Sequence, residues 1–82
     1  MTQVYIKWID AMSDIGGWRD VEDAIEWGTN VNCTVEEVGF IVDENKEYIL
    51  LANKVNFDIV QGLTKIPKKY ITKRTDLKVT KL

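Results

Sequence analysis

Apolar residues recur at every second position through most of this chain, and that period commits it to β-structure. Val4, Ile6 and Trp8 alternate with Tyr5, Lys7 and Ile9, so residues 4–9 read as a first strand. Residues 35–42 read as a second, with Val38, Phe40 and Val42 sharing a face. Asp43, Glu44, Asn45 and Lys46 make a hairpin loop. Residues 47–52 follow as a third strand, apolar on both faces in its middle. Over residues 53–62 Val55, Phe57 and Ile59 still alternate before Gln61 and Gly62 break the run, which predicts a ragged strand or a loop. Residues 63–66 form a short fourth strand that Pro67 ends, because proline cannot donate to a ladder. Residues 67–70 suit one 3₁₀ turn, and residues 71–79 a last strand with Ile71, Lys73, Thr75, Leu77 and Val79 on one face.

One segment breaks the period. After a loop over residues 10–17, Asp20 reads as a helix N-cap with Asp23 three residues on. Val21, Ala24 and Ile25 take the i, i+3, i+4 spacing, and Gly28 falls where a C-terminal glycine belongs. A helix of roughly eight residues does not hold its shape alone in water, so it is expected to pack on the sheet. The fold class is therefore mainly β: a small barrel of about five strands with one short helix after the first strand. Closing the sheet would remove edges that invite aggregation.

At 82 residues the chain is one domain, spanning residues 1–82. Zero His and one Cys exclude a zinc finger, a Cys/His pair, a Ser-His-Asp triad and any internal disulfide. Only carboxylates and lysines remain for chemistry, so no enzyme, no metal and no cofactor is expected. The longest apolar run, residues 48–52, is far short of a membrane span. The first residues lack the basic and apolar regions of a secretion signal, and with a lone thiol this points to a reducing cytoplasm.

The net charge of −2 conceals an asymmetry. Residues 1–44 carry ten acids and two bases, whereas residues 45–82 carry nine bases and three acids. Either the fold interleaves the halves, or an acidic face meets a basic face of another copy, or the basic half receives an anion. The overall charge disfavours a protein that coats nucleic acid.

Two resemblances add to this. The run Ile66-Pro67-Lys68-Lys69-Tyr70-Ile71 resembles the strand, 3₁₀ turn and final strand of SH3-like and Sm-like barrels. The aromatic-rich first strand of peptide-binding SH3 domains is missing, so polyproline binding is not implied. Over residues 4–71, Trp8-Ile9-Asp10, Gly17-Trp18, the run from Val38 to Val42, Glu44, the run from Tyr48 to Ala52, Gly62 and Ile66-Pro67-Lys68 resemble a group of small proteins of tailed bacteriophages and prophages. That resemblance implies a phage origin and a place in the host cytoplasm, and gives no site residues to transfer.

Trp8 shares a face with Val4 and Ile6 and belongs to the core. Trp18, in a Gly-rich loop, and Trp27, at the end of an acidic helix, fit either the core or a stacking or interface role. Beside Trp18, Arg19 and a helix N-terminus offer an anion site, although Asp20 and Asp23 compete for that helix end. Lys65, Lys68, Lys69, Lys73 and Arg74 surround Tyr70; they form either a phosphate-holding surface or a lysine-rich edge that discourages strand pairing. The spacing of Asp10, Asp14, Asp20 and Asp23 matches loop and cap roles rather than a calcium loop. Cys33 reads as a small, half-buried hydrophobe.

The expected function is non-enzymatic binding that interferes with host defence, by capturing a small nucleotide-like ligand or by occluding a host protein. Trp18, Arg19, Trp27, Lys65, Lys68, Lys69 and Tyr70 are the candidate contacts. The alternatives are a nucleic-acid-binding barrel or a minor structural component of a virion, and self-association into a homo-oligomer is compatible with each.

Overall fold

The structure is a computed structural model and describes residues 1–77. In chain order it contains β1 (Gln3–Ile9), α1 (Val21–Asn30), β2 (Thr34–Glu44), β3 (Tyr48–Asn56), β4 (Ile59–Pro67), a 3₁₀ turn (Lys68–Tyr70) and β5 (Ile71–Leu77). The strands form one antiparallel sheet in the order β4-β3-β2-β1-β5. The mainly β class and the five strands are as the alternation predicts, and the helix after β1 is as the Asp20 cap and the i, i+3, i+4 spacing predict. The first and last strands pair, Tyr5 opposite Thr75, with a register shift between Lys7 and Trp8. Among the described residues no ladder joins β4 to β5. The expected extension of the last strand to Val79 lies outside the described residues.

Alternation sets the core. Val4 and Ile6 of β1, Ile49 and Leu51 of β3 and Ile66 of β4 are fully buried, and Trp8, Ile41 and Ile71 pack against them. The sheet therefore curls so that β1 and β4, at separate positions in the strand order, contribute to one interior. A register shift between Ile41 and Asp43 in β2 bends the strand where it changes partner from β1 to β3. Gly39, opposite Val4, is buried there; a Cβ on it would meet the Leu51 Cβ at 3.1 Å.

Two elements differ from the sequence reading. Residues 53–62 are not ragged: β3 runs on to Asn56 and β4 starts at Ile59, joined by a tight turn at Phe57 and Asp58. Beyond Ala52 this hairpin parts from β2, whose ladder with β3 ends at the Phe40–Ala52 pair. The helix does not pack on the sheet. Every residue from 9 to 26 is exposed and no helix residue is buried. Asp20 caps it as expected, accepting from the Asp23 backbone N–H at 2.8 Å. Gly28 lies inside the helix, which ends at Asn30 when the Val31 N–H donates to the Trp27 carbonyl. With helix and hairpin projecting, the molecule measures 55 × 24 × 22 Å and its radius of gyration is 16.7 Å. A compact chain of this length has about 12 Å.

Candidate functional site

The 3₁₀ turn positions most of the basic candidates. Pro67 fixes an extended entry, φ −60° and ψ 130°, and the Lys68 N–H donates to the Glu47 carbonyl at 2.8 Å. This backbone bond ties the turn to the β2–β3 connection. The Lys68 ammonium reaches the Glu44 carboxylate at 2.8 Å, and Arg74 of β5 binds the same carboxylate while also holding Asp76 at 2.8 Å. The Arg74 hydrogen bond first, and the Lys68 bond second, pull the Glu44 carboxyl from 4.5 down to about 2. Glu44 and Asp76 in turn raise the Arg74 guanidinium above its ordinary value. Lys68 and Arg74 are thus neutralised within the fold.

Lys65 and Lys69 are not. Neither has a carboxylate within ion-pair distance among the described residues; each lies over a tyrosine ring, Lys65 on Tyr48 at 4.4 Å and Lys69 on Tyr70 at 5.2 Å. Pro67 and Tyr70 separate two open clefts. One, of about 560 Å³, is lined by Lys46, Lys69 and the acid Glu47; the other, of about 470 Å³, by Lys65, Trp8 and the acid Asp10. Both volumes fall in the range of small-ligand sites. Trp8 joins the core as expected, yet its indole also lines the second cleft, and its Nε1 is buried with no protein partner.

Trp18, Arg19 and Trp27 stand apart from this cluster, on the excursion between β1 and β2. Trp18 is fully exposed and Trp27 half-exposed. Arg19 donates to Asp14 at 2.7 Å and lies 3.8 Å from Asp23. The Gly16 N–H and then Arg19 lower the Asp14 carboxyl below its ordinary value. With Arg19 held by two carboxylates and Asp20 on the helix end, this loop presents an aromatic ring but no uncommitted cation. Cys33 is half-buried, and its carbonyl accepts from Asp10 at 2.9 Å across the base of the excursion. No cluster of metal-ligating side chains occurs among the described residues, and none of their helices is long and apolar enough to cross a membrane.

Sequence reasoning missed Lys46 and Tyr48, brought to the lysine cluster by long-range pairing; in β3, Tyr48 reads as one more apolar strand residue. It also missed a groove of about 770 Å³ between Phe40 and the outer β3–β4 hairpin, lined by Val55, Ile59 and Val60. Its signal was the apolar character of Val55, Ile59 and Val60 on either side of the hairpin turn. Compared with protein-family models, with curated proteins and with solved structures, the chain matches none.

Proposed function

We propose that the chain is a non-enzymatic binding protein that captures a small anionic ligand carrying a planar ring, a nucleotide-like molecule, at the clefts beside Pro67 and Tyr70. One observation carries this reading: Tyr70, 46% exposed, stands between two clefts, each holding one acid, Glu47 or Asp10, and a lysine that lies over a tyrosine ring with no carboxylate within ion-pair distance among the described residues. An ammonium donates to phosphate oxygens while an exposed ring stacks on a base. Glu44 and Asp76 hold Lys68 and Arg74 within the fold, and the chain's net charge is −2, which favours a small ligand over the long phosphate backbone of nucleic acid. The resemblance to small phage proteins supports a role in the host cytoplasm, interfering with defence by removing a nucleotide signal.

The test is thermal unfolding with a panel of mononucleotides, dinucleotides and cyclic nucleotides. A ligand at a hundred times its Kd stabilises the folded chain by about 2.7 kcal/mol, a rise of roughly ten degrees or more. Replacing Lys65 and Lys69 by Glu together abolishes the rise, and Tyr70→Ala reduces it. Absence of a rise with every nucleotide rejects this reading. Occlusion of a host protein is then favoured, because Ile15 and Trp18 are 99% and 104% exposed on one loop. In that case Trp18→Ala weakens partner capture and Lys69→Glu leaves it unchanged.

A further inference from the structure

We infer that the chain self-associates, with the apolar face of α1 from one copy seated in the groove between Phe40 and the outer β3–β4 hairpin of a second copy. Helix and groove each lack something that the other supplies. The helix has ten residues, with Gly28, Thr29 and Asn30 in its last turn and β-branched Val21 and Ile25 before them. Helices this short are marginal in water even with good helix formers, and these residues are poor ones. Val21 and Ile25, 76% and 64% exposed, lie with Ala24 on one face that touches nothing in its own chain sufficiently to be buried.

The groove has the matching defect. Past Ala52 the hairpin has only two strands, and an isolated two-stranded ribbon is marginal in water. Ile59 is 64% exposed at its rim. The dimensions agree: ten helical residues span about 15 Å, and the free hairpin arm of residues 53–56 spans about 13 Å.

Charge selects the occupant. The cap and helix carry Asp20, Glu22, Asp23 and Glu26, and no base lies within the helix. The groove lining contributes one charge, Lys54, together with the amides Asn56 and Gln61; the nearest acid in sequence is Asp58, in the hairpin turn outside the lining. A helix with an acidic flank and an apolar stripe suits a groove that combines Phe40, Val55, Ile59 and Val60 with two amides and one lysine, and this chain carries both surfaces. Two copies related by a two-fold axis exchange helices into grooves, an arrangement that closes on itself.

The experiment is sedimentation velocity of the full chain over a range of concentrations, on the wild type, Ile25→Glu, Ile59→Glu and an equal mixture of the two variants. Both positions are exposed and outside the core, so circular dichroism should show the sheet intact in each variant. The expected result is a wild-type dimer, a loss of at least a hundredfold in association for each variant alone, and partial recovery in the mixture. Recovery follows because the mixed pair keeps one intact helix and one intact groove. A wild type that stays monomeric at every concentration overturns the inference, whether α1 then covers its own groove or another protein does. An Ile59→Glu chain that dimerises like wild type also overturns it, since the helices would then be pairing with each other. A mixture with no recovery overturns it as well. None of these variants alters Lys65, Lys69 or Tyr70, so nucleotide-dependent melting reads the proposed ligand site separately.

Discussion

At Gly62 the backbone takes a φ of 72°, and a Cβ there would lie 2.1 Å from the Asn53 side chain. Both the left-handed conformation and the contact demand glycine, in the part of β4 where the hairpin leaves the core. Gly62→Ala should therefore lower stability by about 1–2 kcal/mol, and a thermal melt showing no loss would contradict the close approach of Asn53. Phe57 presents the opposite case. It holds φ 56° in the hairpin turn, a conformation costly for a bulky side chain, yet the ring is 96% exposed and packs on nothing that repays the strain. Phe57→Gly should stabilise the folded chain by about 1 kcal/mol, read as a higher Tm. A residue kept at such a cost fits a contact role at the hairpin tip.

At the scale of elements, Glu44 fastens the end of β2 to the 3₁₀ turn through Lys68 and to β5 through Arg74. Its carboxyl is lowered to about 2 in the folded chain, so on acidification the unfolded chain takes up the proton first. The contribution is complete above pH 4.5 and fades as pH falls through the folded value of about 2. Glu44→Gln should cost about 1 kcal/mol at pH 7, since the group is partly solvated, and the difference in Tm from wild type should shrink as the pH approaches 2. A difference constant with pH would show that the charge is immaterial. This fastening was invisible in the sequence, where Lys68 and Lys69 are indistinguishable neighbours and only the fold decides that one meets Glu44 and the other Tyr70. Strands β1, β2 and β5 were legible because alternation reports burial on one face. The outer hairpin was misread because Phe57, the middle of the apparent alternation, occupies the turn where glycine is usual, so that Val55 and Ile59 lie on two strands and on opposite faces of the ribbon. The helix was legible from Asp20 and its apolar spacing; its standing clear of the sheet was not, since the spacing records only that its apolar face suits a cover.

At the scale of the molecule, the sheet and the excursion that carries Trp18 and α1 are separable in physical terms. The core residues lie on β1, β3 and β4, and the excursion contributes none of them. Ile9 and Thr34 face each other as the last pair of the β1–β2 ladder, so the excursion leaves and returns at one point. Replacing residues 10–33 by a four-residue turn therefore removes no core packing. It shortens the connection roughly sixfold, which lowers its closure cost by about 1.5 kcal/mol. In dilute solution, where both forms are monomeric, the shortened chain should keep its β-sheet circular dichroism and melt several degrees higher than wild type. It should still bind the nucleotide that stabilises the full chain, because Lys69, Tyr70 and Lys46 lie on the sheet and its short turns, while the Trp8 cleft loses Asp10 and Ala11 from its rim. It should no longer dimerise, because α1 is gone. A shortened chain that unfolds would place the excursion in the folding core, against the exposure of every residue from 9 to 26. A shortened chain that folds but loses the ligand would move the binding site toward Trp18 and Arg19, so the same variant separates the sheet's contribution to binding from the excursion's.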